Sequence, residues 1–143
     1  MREYSAIIRI TNLRLRTFIG FNPDERRKQQ DVVINAEIHH SPKPGALQDD
    51  RVAEALDYKV ITKRIIQHVE SGRFLLLEKL TADVVDICTR DPGVTRALVT
   101  IDKPHALRFA DSVSLTLEYD KNQCQPKSEN FHDPESRPFS KAS

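Results

Sequence analysis

The sequence predicts an α+β domain in which two β-strands are followed by two α-helices and then by two more strands. Three features predict this order: apolar residues alternate with polar ones near the N-terminus, recur at helical spacing in the middle of the chain, and alternate again up to residue 119. Each strand has a single apolar face, so the simplest assembly is a four-stranded antiparallel sheet with both helices on one side. A chain of 143 residues is long enough for one such domain.

The first two strands are expected to form a long hairpin. In the first strand the apolar positions shift phase at Thr11 and Asn12, which predicts a β-bulge. The second strand alternates without interruption, and its apolar side consists of Val32, Ile34, Ala36 and Ile38. The connection, residues 20–30, is polar, charged and longer than a tight turn needs, so it is a candidate functional loop.

The middle of the chain predicts two helices after a turn at Pro42–Gly45. Asp57 is the expected N-cap of the first helix, and Ser71 with Gly72 is expected to end it. The face that this helix buries is predicted to comprise Tyr58, Ile61, Ile65 and His68 or Val69. The second helix is predicted to bury Leu77, Leu80, Val84 and Ile87 before residues 91–93 close it.

The last two strands are predicted where alternation returns. Their apolar positions are Ala97, Val99 and Ile101 in one strand and Val113, Leu115, Leu117 and Tyr119 in the other. Residues 120–143 have no periodicity and are rich in proline, serine and charge, so they are predicted to form a disordered tail. The predicted domain therefore comprises residues 1–119.

The outer strands of the predicted sheet leave open edges. An open edge pairs readily with another chain, and closing several sheets into a ring removes every edge. A domain of this size is also short for an enzyme that must enclose a substrate, and a pocket shared between subunits would solve that problem. The sequence therefore favours a homo-oligomer.

Composition limits the partners and the location of the protein. The chain has 22 basic and 21 acidic residues and a net charge of +1, so no charge excess favours nucleic acid or membrane binding. The N-terminus lacks an apolar signal core and no apolar run approaches membrane-spanning length, so a cytoplasmic protein is expected. Of the two cysteines, Cys88 is expected in the core and Cys124 at the surface, without a disulfide.

Several kinds of catalytic site are absent from the sequence. It contains no glycine-rich phosphate loop after a strand, no HExxH motif and no nucleophile elbow. His39 and His40 are neighbours on a predicted strand, so their side chains are expected on opposite faces and cannot share a metal ion. Neither a metal nor another cofactor is expected.

A few polar residues remain as candidates for a site. Glu78 is an acid within the apolar run 75–80, and Lys103 follows an apolar strand, a combination that fits a small nitrogen-rich ligand held by a carboxylate and acted on by an amine. Each candidate also has a simpler explanation. Glu78 complements the positive end of a helix dipole, Tyr58 is a half-buried packing residue, Lys103 is a strand-edge charge and Glu25 belongs to a solvated charged loop.

The joint arrangement of these residues is more specific than any one of them. Five segments carry it, in this order: Asn12–Gly20, Gln30–Asn35, Ala55–Tyr58, Leu76–Leu80 and Ile101–Arg108. Together they resemble the dihydroneopterin aldolase and dihydroneopterin triphosphate 2′-epimerase family, and the resemblance extends from residue 7 to residue 119. It implies the tunnelling fold, in which β-β-α-α-β-β subunits close into a ring-shaped barrel and two tetrameric rings stack as a homo-octamer.

The resemblance also implies roles for particular residues. Glu78, with Leu77 beside it, matches the glutamate that binds the 2-amino group and ring N–H of a pterin. Lys103 matches the catalytic lysine, Tyr58 a tyrosine that reaches the site from a neighbouring subunit, and Glu25 the glutamate of the loop after the glycine. The substrate is implied to be a small dihydropterin whose ring imine stores electrons, so neither a cofactor nor a Schiff base on Lys103 is implied.

Within the family, the sequence favours the epimerase branch. Arg16–Gly20 differs from the Tyr-Gly-Tyr-His-Gly-like run that aldolase members usually carry, and His105 and Arg108 place positive charge after Lys103, where it could hold a triphosphate. Three functions remain open: an epimerase acting at C2′ of 7,8-dihydroneopterin triphosphate, an aldolase that releases glycolaldehyde and 6-hydroxymethyl-7,8-dihydropterin, and a non-catalytic pterin-binding ring.

Overall fold

The computed structural model describes residues 2–123, which form one five-stranded sheet and three α-helices. In chain order the elements are β1 (Ala6–Ile19), β2 (Gln30–His40), α1 (Pro44–Asp49), a 3₁₀ turn (Val52–Glu54), α2 (Tyr58–Glu70), β3 (Arg73–Phe74), α3 (Leu77–Cys88), β4 (Val94–Pro104) and β5 (Ser112–Asp120). The sheet order is β3-β1-β2-β4-β5, with β3 parallel to β1 and the other pairs antiparallel. The α+β class is confirmed, whereas the prediction of four strands missed β3.

A β-bulge divides β1, as the phase shift in the sequence predicted. Its pairing with β2 shifts register between Ile10 and Leu13. Asn12 adopts the left-handed conformation with φ 55°, and its backbone N–H donates to Asn35 Oδ1 at 2.8 Å. Asparagine tolerates this conformation better than most residues do. The bulge therefore returns the apolar side of β1 to the core on both sides of the irregularity.

The two main helices begin and end close to the predicted positions. Asp57 caps α2, because its carboxylate accepts hydrogen bonds from the backbone N–H groups of Lys59 and Val60. The helix ends at Ser71, as predicted. Helix α3 follows over Leu77–Cys88 and buries all the predicted positions except Leu77, which is half-buried.

Two short elements were not predicted. Pro42–Gly45 reads as a turn, but Pro44 instead begins α1, at the helical position where a missing N–H costs nothing. Between α2 and α3, Arg73 and Phe74 pair with Phe18 and Ile19 of β1. A two-residue strand is too short to produce an alternating pattern in the sequence.

The core lies between the sheet and the helices α2 and α3. Its fully buried members include Ile34, Ile65, Leu80 and Val99, from β2, α2, α3 and β4 respectively. Cys88 is also fully buried, and burial raises the pKa of its thiol to about 12, which confirms its assignment to the core. Cys124 and the rest of the predicted tail, residues 124–143, lie outside the described residues. Within residues 2–123, no helix combines the length and apolar character needed to cross a membrane.

Candidate active site

The loop that connects β1 and β2 is folded around Gly20. The backbone N–H of Gly20 donates to the carbonyl oxygen of Phe74 at 2.9 Å, which ties the loop to β3. Gly20 has φ +131°, and a Cβ atom at this position would lie 2.1 Å from Oε1 of Glu25. Only glycine therefore permits both this backbone conformation and the close approach of the Glu25 side chain.

Glu25 forms an ion pair with Lys103, the last residue but one of β4. Lys103 Nζ donates to Glu25 Oε2 at 2.9 Å, and the two side chains are 12% and 23% exposed, respectively. Lys103 continues the row of Ala97, Val99 and Ile101, so it points to the helix-bearing side of the sheet. The structure thus brings together two predicted site residues that stand 78 positions apart in the sequence.

The surroundings of Glu25 favour its ionised form. Burial alone would raise the pKa of this carboxyl group, but hydrogen bonds from Lys103, from the backbone N–H of Asn22 and from Gln30, together with the positive charge of Lys103, lower it below the ordinary value. Glu25 is therefore an anionic partner for the Lys103 ammonium group at neutral pH. The ion pair is neutral overall, and it holds the ammonium group of Lys103 in one position.

The start of α3 lies at the same end of the subunit. Phe74, which accepts the hydrogen bond from Gly20, lies four residues before Glu78 in the sequence. Glu78 is exposed in the first turn of α3. Leu75 and Leu76 are also exposed, and Leu77 is half-buried. An exposed carboxylate beside exposed apolar side chains fits a flat ring with N–H donors on its edge. The helix-dipole explanation of Glu78 fits the same position.

Tyr58 does not join this group within one chain. The C-terminal end of α2 is tied to β1, because Thr17 Oγ1 donates to the carbonyl oxygen of Val69 at 2.6 Å. Tyr58 begins the helix, and at ~1.5 Å of rise per residue it lies roughly 16 Å from Val69 at that tied end. Its side chain is 52% exposed, and it follows the 88% exposed Val52 on the same stretch of chain. The sequence predicted a half-buried Tyr58 on the packed face of α2, whereas the structure exposes it, so that prediction was wrong.

The two predicted phosphate-binding residues lie in the loop between β4 and β5. His105 comes two positions after Lys103 and adopts φ 64°, with its backbone N–H donating to the carbonyl oxygen of Asp111 at 3.3 Å. Arg108 is exposed, and its guanidinium carbon lies 5.5 Å from the centre of the Phe109 ring. Both residues therefore lie beyond the end of β4 that carries Lys103.

Three residues near the site were missed from the sequence. Gln30 donates through Nε2 to the carbonyl oxygen of Ile19 at 2.6 Å, and Asn22 Oδ1 accepts from the backbone N–H of Glu25 at 2.9 Å. Arg73 stacks 3.9 Å above the Phe18 ring. A glutamine at the first position of a strand gives no signal of its role, because its partners are contributed by the folded loop.

The histidines of β2 take the opposite faces that were predicted. His39 Nε2 lies 3.1 Å from Glu37 Oε1 on the helix-free face, while Nδ1 of His40 is buried without a hydrogen-bond partner among the described residues. No group of three or more potential metal-ligating His, Cys, Asp or Glu side chains occurs in residues 2–123.

Comparisons with known proteins agree on one family. The dihydroneopterin aldolase family model matches residues 8–118. The chain is 54% identical over 121 residues to the dihydroneopterin triphosphate 2′-epimerase of Escherichia coli K12, covering 85% of this chain and 100% of that relative. It is 50% identical over 112 residues to the enzyme of the same name from Pseudomonas aeruginosa, covering 78% of this chain and 90% of that relative.

A solved structure of a dihydroneopterin aldolase has the same fold as this chain. The Escherichia coli dihydroneopterin aldolase in complex with neopterin superposes with a TM-score of 0.74 at 27% identity, over 80% of this chain and 98% of the other. The residues that the family model matches include Glu25, Tyr58, Glu78, Lys103 and Arg108. The whole candidate site therefore lies inside the matched region.

Proposed function

The chain belongs to the dihydroneopterin aldolase family, and we propose that it inverts C2′ of 7,8-dihydroneopterin triphosphate to give 7,8-dihydromonapterin triphosphate. The observation that carries this choice is the 54% identity over the full length of a 2′-epimerase, against 27% identity to the aldolase of known structure. Aldol cleavage is the second candidate, because the family model that matches the chain is that of the aldolase.

Both reactions begin with the same bond cleavage. The 2′-hydroxyl group loses its proton, the C1′–C2′ bond breaks, and the electron pair moves to C1′ and into the ring imine, which becomes an enamine. If the two-carbon aldehyde or its phosphorylated equivalent turns over and adds back, C2′ is inverted. If it leaves and C1′ is protonated, the product is 6-hydroxymethyl-7,8-dihydropterin.

In this scheme Lys103 supplies a positive group that Glu25 holds in place. The ammonium group of Lys103 stabilises the negative charge that develops on the ring nitrogen as the bond breaks, and it relays a proton there. Glu25 accepts the hydrogen bond from Lys103 Nζ and so orients the lysine side chain. Glu78 and Leu77 bind the pterin ring, the former by accepting two charge-assisted hydrogen bonds.

We assign the removal of the 2′-hydroxyl proton to Tyr58 of a neighbouring subunit. Its exposure and its distance from the tied end of α2 support this assignment, because one chain does not complete the site. The outer edge of β1 pairs only at Phe18 and Ile19, and β5 is the last strand on the other side, so both edges are available for a ring. A tunnelling-fold octamer of two stacked tetramers satisfies both features.

The test is a direct assay of products. The purified protein is incubated separately with 7,8-dihydroneopterin triphosphate and with free 7,8-dihydroneopterin, and the products are separated by chiral chromatography. Monapterin-type product from the triphosphate is expected as the main outcome. Conversion of the free substrate mainly to the 6-hydroxymethyl compound would assign the aldolase instead. Tight binding of both compounds without turnover would indicate a non-catalytic pterin-binding ring.

A further inference from the structure

Strand β3 contacts the loop between β1 and β2 at two separate points. The carbonyl oxygen of Phe74 accepts from the backbone N–H of Gly20 at 2.9 Å, at the start of the loop. The side chain of Arg73 donates through Nη1 to the carbonyl oxygen of Arg26 at 3.2 Å, further along the same loop. Arg26 directly follows Glu25 in the sequence. The two residues of β3 therefore bind both ends of the loop segment that carries Glu25.

The guanidinium group of Arg73 is itself held in place. Its central carbon lies 3.9 Å from the centre of the Phe18 ring, which is a cation–π contact. Phe18 is also the register partner of Arg73 in the parallel pairing of β1 with β3. Arginine carries several N–H donors in one rigid plane, so it can stack on a ring and still donate at its edge. The sheet therefore fixes the position of the donor that reaches the loop.

Strand β3 is anchored to the core, so it can support the loop. The side chain of Phe74 is buried, and a Cβ atom on Gly72 would lie 2.6 Å from its ring. The buried hydroxyl group of Thr17 in β1 lies 3.3 Å from the carbonyl oxygen of Gly72, the residue before β3. Helix α3, which carries Glu78, begins three residues after Phe74. The support of the loop and the proposed pterin anchor therefore belong to one short stretch of chain.

The loop is held from both faces of the sheet. Lys103 binds Glu25 from the helix-bearing side. Arg73 lies on the opposite face, because the next residue of β3 points into the core. Between these two contacts, Asn22 accepts from the backbone N–H of Glu25 through Oδ1 at 2.9 Å and from that of Arg26 through its carbonyl oxygen at 3.2 Å. A single hydrogen-bonded turn therefore joins the carbonyl group that Arg73 holds to the residue that Lys103 meets.

We propose that Arg73 is a positioning residue of the active site, which holds the Arg26 carbonyl group from β3 and thereby keeps Glu25 against Lys103. The kinetic consequence rests on the proposed function, whereas the consequence for the loop does not. In this role Arg73 need not touch the substrate. The alternative for an exposed arginine near the site is direct contact with the triphosphate, which would change substrate binding rather than turnover.

The key variant is Arg73→Met, which removes the guanidinium group but keeps an unbranched side chain over Phe18. We expect the backbone amides of Glu25 and Arg26 to exchange with solvent about 3- to 30-fold faster, because their turn loses one support. Hydrogen exchange followed by NMR measures this directly. Turnover should also suffer: kcat should fall by about 3- to 30-fold, since displaced catalytic groups slow the reaction, while KM for the triphosphate changes by less than about twofold.

Arg14→Met is the matched control. Arg14 is an exposed arginine of β1, and its register partner Val33 lies three positions after the loop ends. Its amide exchange in the loop and its kcat should equal those of the wild type. Arg73→Lys keeps the charge without the flat group that stacks on Phe18, and it covers the case in which Arg73→Met fails to fold. It should show smaller changes in the same direction.

A double-mutant cycle tests whether Arg73 acts through Glu25. In a Glu25→Ala background, Arg73→Met should cause little further loss of kcat. Unchanged amide exchange in folded Arg73→Met, or fully additive losses of kcat, would overturn the proposal. A loss confined to KM for the triphosphate and restored by Arg73→Lys would also overturn it, because Arg73 would then be a phosphate contact. Faster loop exchange in a protein without pterin turnover would support the role of Arg73 and reject only the proposed function.

Discussion

The functional residues near the two ends of α2 differ in how far they are buried and paired within a single chain. At the C-terminal end, Glu25 and Lys103 are paired, largely covered and tied to β3 through Gly20. At the N-terminal end, Tyr58 and the nearby Val52 and Val60 are exposed apolar or aromatic side chains. One end therefore carries a preorganised ion pair, and the other presents exposed apolar and aromatic side chains.

Under the proposed function, this difference divides the functional groups of one site between two copies of the chain. At the C-terminal end, one chain holds the ammonium group of Lys103 against Glu25 by itself. The group that moves the hydroxyl proton can instead come from a second copy. The predictions below test this division, beginning with the exposed end.

Tyr58→Phe should have the largest effect. Removal of one hydroxyl group keeps the ring and its packing, so oligomerisation and pterin binding should persist, while a lost proton-transfer group costs about 10²- to 10⁴-fold in turnover. Epimerisation and cleavage should fall together, because both begin with the same step. Product analysis on each substrate gives both rates.

Tyr4→Phe is a suitable control, because Tyr4 is 51% exposed, close to the 52% of Tyr58. It should behave as wild type. If Tyr58→Phe abolished the epimer but left cleavage at the wild-type rate, the tyrosine would act after bond breaking, when the fragment adds back.

Lys103→Ala tests the preorganised end and should lower kcat by about 10²- to 10³-fold, the usual cost of a lost electrostatic stabiliser. Pterin affinity should change little, because the charge that Lys103 stabilises appears only as the bond breaks. Equilibrium binding by fluorescence and single-turnover rates separate the two effects. Lys63→Ala, an exposed lysine of α2, controls for the lost charge.

Mixing these two inactive variants tests whether the site is shared. If Tyr58 and Lys103 of different chains meet, random co-assembly of Tyr58→Phe and Lys103→Ala subunits makes about a quarter of the interfaces intact. Activity should then recover to about a quarter of the wild-type value. An absence of recovery in demonstrably mixed oligomers would place both residues in the same chain's site and remove the proposed ring contact.

The sequence predicted local features of the backbone better than contacts between residues that are distant in the chain. The cap at Asp57 and the bulge at Asn12 were predictable because each depends on side chains that bond to nearby backbone or tolerate a left-handed conformation. The pairing of Glu25 with Lys103 was predicted only as membership of one site, since no local rule joins residues of a loop and a distant strand.

The missed features have the same physical origin. Strand β3 forms because Arg73 and Phe74 pair with the outer edge of β1. Two residues are too few to produce an alternating pattern that predicts a strand. The side chain of Gln30 donates to the carbonyl group of Ile19, a contact that forms only once the loop has folded. The burial predicted for Tyr58 was wrong because a helical period assigns a face but does not say how far the sheet extends beneath it.

Glu78→Gln probes the surface between the two ends, where α3 begins. The substitution replaces one acceptor oxygen with a donor that would face the N–H groups of the pterin, a mismatch that costs about 1–3 kcal/mol. Pterin binding should weaken by roughly 5- to 150-fold, as measured by calorimetry. Glu70→Gln, at the exposed end of α2, is the control. Unchanged affinity in folded Glu78→Gln would leave Glu78 with its role at the helix dipole.

The smallest expected effect concerns Arg108 and His105, which follow Lys103, and it distinguishes the triphosphate from the free substrate. Arg108→Ala should raise KM for the triphosphate by about 1.5- to 5-fold, the range of an exposed ion pair, and leave KM for free dihydroneopterin unchanged. His105 must be replaced by Asn rather than Ala, since φ 64° disfavours alanine and the loop would move for a reason unrelated to charge. The effect of Arg108→Ala should shrink as salt is raised, because exposed charges are screened. Equal changes in KM for both substrates would mean that the loop shapes the pterin site, and that the triphosphate is recognised elsewhere on the protein.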